Sequence, residues 1–121
     1  MRIGEVATTL GVPVHALHHW DALGVVVPDR TGAGHRTYTD EHLVRLRILL
    51  SCREVGMSLA EIRLVLHRDE AGRAAVLRQR LDHVREQRRR LDRAQAFLEH
   101  VVGCRHDLVS RCPDCAAYAS A

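Results

Sequence analysis

The sequence predicts a mainly α fold: a winged helix-turn-helix domain, a long dimerisation helix of coiled-coil type, and a short Cys-rich tail. Three observations predict it. Residues 71–102 contain no Pro and only one Gly, Gly72, and carry apolar residues at heptad spacing. Residues 3–23 hold two short segments with an apolar face, punctuated by Gly11. Soft metal-ligand side chains crowd the stretch 104–115. The boundaries fall at 1–70, 71–103 and 104–121.

In the first segment Ile3, Val6, Ala7 and Leu10 share a helical face, and Gly11 ends it. Val12-Pro13 opens the second helix, which runs through Val14, Ala16, Leu17, Trp20 and Leu23 to Gly24. Val25 to Asp29 is β-prone and closed by Pro28. Thr31-Gly32-Ala33-Gly34 makes a turn, and His35-Arg36-Thr37-Tyr38 returns from it, so this hairpin is read as a wing. Thr39 caps a third helix with Leu43, Leu46, Leu49 and Leu50 facing inward, stopped at Gly56. Ser58-Leu59-Ala60-Glu61 is a capping box for a fourth helix ending near His67, and Arg68-Asp69-Glu70 forms a hinge.

The long helix spans roughly 45 Å at about 1.5 Å per residue. Leu77, Leu81, Val84, Leu91, Leu98 and Val102 fall on steps of four, three and seven, with Arg88 and Gln95 at the seam positions they skip. A helix lying across a bundle is one reading. A seam shared with a second copy suits the length better, because so long a stripe exceeds what a small domain can cover. The chain is therefore expected to be a homodimer.

Composition sets the outer limits. With 121 residues there is room for one small domain and an appendage, and aromatic content of 3% leaves the core to aliphatic side chains. No apolar run approaches the roughly 20 residues of a membrane span and no signal-peptide pattern is present, which predicts a soluble cytoplasmic chain with no membrane partner. Net charge is +3, distributed as −1 over 1–40, zero over 41–70, +4 over 71–103 and zero in the tail. The basic excess sits on the long helix, so charge alone is a weak pointer to nucleic acid. No phosphate-binding Gly loop and no nucleophile–base pair is evident, and no enzyme activity is expected.

Several phrases resemble the MerR family of bacterial transcription regulators. They are Met1-Arg2-Ile3-Gly4-Glu5-Val6-Ala7, Leu10-Gly11-Val12, Asp21-Ala22-Leu23-Gly24-Val25 followed by Pro28, His35-Arg36-Thr37-Tyr38-Thr39, and Val55-Gly56-Met57-Ser58-Leu59-Ala60-Glu61-Ile62. Together they cover residues 1–67 in register. The resemblance implies a homodimer on an inverted repeat in double-stranded promoter DNA. An effector bound in the C-terminal region would then distort the DNA so that RNA polymerase can use the promoter. The DNA contacts it implies are Arg2, His15, His18, His19, Trp20, Arg36 and Tyr38. The family's recognition helix usually carries Arg, two residues, then Arg-Tyr-Tyr-Glu or Arg-Tyr-Trp-Glu. Here the run is His15-Ala16-Leu17-His18-His19-Trp20-Asp21, so imidazoles replace forked, permanently charged guanidiniums. On spacing alone, His15, His18 and His19 are also close enough to share a metal, or they are solvent-facing without a role.

The tail carries Cys104-x-His106-x5-Cys112-x2-Cys115, a complete set of four ligands for a tetrahedral zinc or another thiophilic metal. The resemblance adds that metal- and redox-sensing members place their cysteines just after the dimer helix. A reversible Cys112–Cys115 disulfide, reduced cysteines without a role, and an iron–sulfur cluster are the other readings, the last disfavoured by having only three Cys there. Cys52, among Leu49, Leu50 and Val55, reads as a small buried hydrophobe. The function expected is a dimeric DNA-binding regulator whose Cys/His tail binds a metal or senses redox state and controls promoter DNA distortion. A purely structural zinc tail, or a protein-interaction module with weakened DNA binding, stands as the alternative.

Overall fold

The computed structural model describes residues 1–120, in two compact units that divide inside the long helix, at Leu77/Arg78. The first unit contains α1 (Ile3–Leu10), α2 (Val14–Ala22), a two-stranded antiparallel hairpin of β1 (Asp29–Arg30) and β2 (Arg36–Thr37), α3 (Asp40–Glu54), α4 (Leu59–Leu66) and the start of α5 (Arg73–Gly103). The second contains the rest of α5, a single 3-10 turn over Val109–Arg111, and α6 (Pro113–Ala117), which runs into a second such turn over Tyr118–Ser120.

Several helix ends of the first unit follow from local chemistry. Gly11 ends α1 in the left-handed conformation at φ 67°, which lets Val12 N–H reach back 3.0 Å to the Ala7 carbonyl. Ser58 and Glu61 cap α4 reciprocally, as the sequence predicts. Thr39 caps α3 as predicted, but the third residue of that box is His42, whose Nδ1 accepts from Thr39 N–H at 3.0 Å. An imidazole takes the place a Glu or Gln usually fills. The far end of α4 is closed by arginine: Arg73 donates to the Leu64 and Val65 carbonyls and Arg45 to that of Leu66. Those acceptors would otherwise be orphaned.

The core gathers Val6, Ala7, Leu17, Trp20, Val25, Val26, Tyr38, Leu43, Leu46, Leu49, Ile62 and Leu66. Cys52 is half-buried against it, and burial pushes its thiol pKa up. The expected strand over Val25–Asp29 is shorter than the sequence predicts, since only Asp29 and Arg30 enter the ladder, opposite Thr37 and Arg36. Val25 and Val26 are both buried, which a two-period strand does not allow for neighbours with one covered face, and Pro28 has no N–H to donate.

In the second unit α5 buries none of its residues fully. Its exposed surface is tied by short-range pairs, Arg89 to Glu86 at 2.6 Å and Arg85 to Asp82 at 3.5 Å, each of small energetic value on an exposed helix. The tail returns onto α5, where Tyr118 stacks on Phe97 at 4.3 Å between centroids and Arg93 lies 5.6 Å over the Tyr118 ring. No described helix is long and apolar enough to cross a membrane.

Candidate nucleic-acid interface and metal centre

Helix α2 divides cleanly by exposure. Leu17 and Trp20 are buried and anchor it, while His15, His18 and His19 are exposed on its outer side. The wing is bolted to the end of this helix through Asp21. Arg36 donates from Nε to Asp21 Oδ2 at 2.8 Å, and Arg30 lies 3.6 Å from the same oxygen. Arg30 also donates to the Gly34 carbonyl at 3.1 Å, holding the turn of the hairpin. Tyr38, just after β2, donates its N–H to the Met1 carbonyl at 2.8 Å, so the start of the chain and the wing are joined. Arg2 is exposed beside that junction.

Two of the residues expected to touch DNA sit elsewhere. Trp20 is 7% and Tyr38 2% exposed, and both belong to the core. A side chain so enclosed cannot reach a groove. Trp20 lies three residues after Leu17 and so shares its inward face, and Tyr38 packs edge-on against His42 with ring centroids 6.0 Å apart. Among the described residues the Tyr38 hydroxyl is the buried side-chain polar atom without a hydrogen-bond partner. Burial first, and the Asp21 charge second, push its pKa up from its ordinary value near 10. Arg36 is half-buried and commits its Nε–H to Asp21. Sequence reasoning missed Asp21 as the organising carboxylate. An acid near the end of the second helix, with Arg30 and Arg36 following in the hairpin, was the available signal.

The second cluster lies where α5 meets the tail. The sulfurs of Cys104, Cys112 and Cys115 and a ring nitrogen of His100 all lie within 4.8 Å of one another. His100 Nε2 is 3.3 Å from Cys112 Sγ. Cys112 and Cys115 are buried, and all four cysteines of the chain are free thiols. The expected fourth ligand, His106, is not in this group. It is exposed on the irregular stretch after α5, with Nδ1 3.4 Å from Cys104 Sγ alone. His100 stands in its place because it precedes Cys104 by four residues, one helical turn, and so projects along the same face. The spacing His100-x3-Cys104 was legible, but a motif begun at the first cysteine leaves it out.

The donor chemistry fits a soft divalent cation. A tetrahedral ion with Zn–S bonds of about 2.3 Å would separate its sulfurs by about 3.8 Å, which falls inside the 4.8 Å within which the four donors lie. The thiols are already differentiated. Hydrogen bonding from the Cys115 backbone and then from His100 lowers Cys112 to about 6, while desolvation raises Cys115 to about 12.

A family model described as MerR HTH family regulatory protein matches residues 1–69, and one described as MerR, DNA binding matches residues 43–101. The chain is 34% identical over 113 residues to the HTH-type transcriptional activator TipA of Streptomyces coelicolor, a match covering 93% of this chain and 45% of TipA. It therefore spans less than half of that relative's length. It is 30% identical over 118 residues to the HTH-type transcriptional regulator ZntR homolog of Haemophilus influenzae, covering 94% of this chain and 87% of the relative. Among solved structures it is similar to MtaN, the N-terminus of the Bacillus subtilis multidrug transporter activator. The TM-score is 0.56 and the identity 29%, over 84% of this chain and 97% of that one.

Proposed function

This chain belongs to the MerR family of helix-turn-helix regulatory proteins, and we propose that it acts as a homodimer on double-stranded promoter DNA under the control of a soft metal bound by its tail. The observation that carries the DNA reading is the division of α2, with Leu17 and Trp20 anchoring it inward and His15, His18 and His19 left outward. These three histidines occupy the groove-facing positions, and Arg2 with the wing lies toward the flanking backbone. The Asp21–Arg36 bond holds helix and wing as one reading head, so that Arg36 positions the hairpin as much as it contacts phosphate. Each imidazole donates a single hydrogen bond when neutral, which gives weaker backbone anchoring than an arginine fork.

Dimerisation runs along Leu77, Leu81, Val84, Leu91, Leu98 and Val102 of α5, of which Leu81, Leu91, Leu98 and Val102 are exposed and Leu77 and Val84 half-buried. His100, Cys104, Cys112 and Cys115 hold the metal, for which zinc is the cation their softness and number suit best. Control requires that the loaded tail favour one DNA-bound shape over the other, since a ligand indifferent to the two shapes shifts nothing. RNA polymerase then reads the result through the geometry of the promoter.

A salt titration of binding to duplex DNA tests the interface. Affinity should fall steeply as counterion release is lost, and His15→Ala with His18→Ala should weaken it. Absence of duplex binding even at low salt would instead indicate a protein-interaction module built on this fold. Elemental analysis of protein purified without added metal, beside promoter output with and without chelator, tests the effector. Protein that holds no metal and gains none on titration leaves the Cys112–Cys115 disulfide as the effector chemistry.

A further inference from the structure

Resting on the metal reading above, we propose that the metal centre is complete within one protomer: His100, Cys104, Cys112 and Cys115 form a closed four-ligand site for zinc, to which neither His106 nor a partner subunit contributes. Two independent observations carry this.

The first is the donor count. Three sulfurs and one imidazole nitrogen, all from the second compact unit, already converge within 4.8 Å of one another. Four donors of this kind satisfy a structural zinc site, leaving no position for water or for another chain's side chain. Asp107 and Asp114 are exposed and outside the group, so the site offers no oxygen donor for calcium or magnesium.

The second is where the site lies on α5. Arg93, Phe97 and His100 follow one another at steps of four and three, and each touches the tail: Arg93 and Phe97 on Tyr118, His100 on Cys112. At about 100° per residue their face lies about 150° around the helix from that of Leu91, Leu98 and Val102. A partner docked on the leucine seam therefore approaches the side of the helix turned away from the cluster. Cys112 and Cys115 are enclosed by the chain's own residues, with Phe97, Leu108, Val109 and Tyr118 around the same tail fold. The site thus works as a clasp within one chain, closing the tail on α5, and loading it does not require the dimer.

The test uses the full chain, stripped with chelator under reductant and titrated with Co²⁺ as a spectroscopic probe, then with Zn²⁺. One Co²⁺ per chain is expected, with tetrahedral d–d bands and thiolate-to-cobalt charge transfer. His106→Ala should leave the affinity within about twofold. His100→Ala should lower it by more than the roughly 10–100-fold that follows loss of a group merely supporting a ligand. His100→Cys should restore tight binding with altered d–d bands, which a residue acting only through folding would not do. Leu91→Glu, which disrupts the seam, should still bind one ion per chain, and so should wild type diluted below its dimer dissociation constant. Half an ion per chain, loss of binding in both dimer-dissociating conditions, or sensitivity at His106 instead of His100 would overturn the single-chain site while leaving a metal-binding tail intact. Wild type that takes up neither ion would overturn the metal reading itself, and this inference with it.

Discussion

Charging the seam of α5 is the most direct perturbation of the proposed dimer. Leu91 is 68% exposed in the chain. Full burial of a leucine stabilises by about 1.5–3 kcal/mol, so covering its exposed two-thirds contributes about 1–2 kcal/mol. A two-fold interface counts each residue once per protomer, which brings the contribution to about 2–4 kcal/mol. Leu91→Glu removes that and sets a carboxylate against an apolar surface, an added cost that the side chain limits by turning toward water. The loss of about 2–4 kcal/mol alone weakens the dimer by roughly 30- to 1000-fold. Sedimentation across a micromolar concentration series should show wild type as a dimer and Leu91→Glu as a monomer. Asp82→Ala, in an exposed pair with Arg85, should leave the equilibrium unchanged. Wild type sedimenting as a monomer throughout, or a variant with undiminished association, would refute the seam.

Three further outcomes are expected. His18→Arg should tighten duplex binding and steepen its log–log salt dependence by about 1, as one added phosphate contact requires; fluorescence anisotropy at several salt concentrations reads both, and an unchanged slope would remove His18 from the backbone contacts. Tyr38→Phe deletes a buried hydroxyl without a partner and should be neutral or stabilise by up to about 1 kcal/mol in urea unfolding near neutral pH. Because the folded-state pKa of Tyr38 is raised, the native chain keeps this proton after the unfolded chain has lost its own, so stability is intact below about 10 and declines above it. The Phe variant should lose that alkaline decline, and a large destabilisation by it would show that the hydroxyl has a necessary partner. Ser58→Ala breaks the reciprocal cap of α4 and should cost about 1 kcal/mol by the same unfolding measurement, an effect near zero arguing against the cap.

Much of the fold was legible because its signals are local. Gly11, Thr39, Ser58 with Glu61, and the Pro-free run of α5 each act on residues within a turn or two of themselves, and the helices they delimit lie where those signals put them. Heptad steps likewise mark one face of α5 without reference to anything outside it. The hairpin was less legible, because the β-prone Val25 and Val26 are apolar to serve the core and not the ladder.

Site residues were harder to read, since a residue's type does not say which way it faces. Trp20 and Tyr38 carry both a ring to bury and a polar tip to present, and only the packing of α2 and the wing against α3 and α4 turned them inward. Asp21 gained its role from two arginines that lie nine and fifteen residues away in the chain and meet it across the hairpin. At the tail, composition alone named three cysteines and a soft cation. The choice of His100 over His106 belongs to tertiary structure: a helical turn aims one imidazole along the Cys104 face, while the irregular stretch after Gly103 leaves the other exposed beside a single sulfur. Ligand identity is chemistry that a residue carries with it, whereas convergence of four donors depends on where the backbone returns, and the return of α6 onto α5 is set by packing between residues distant in sequence.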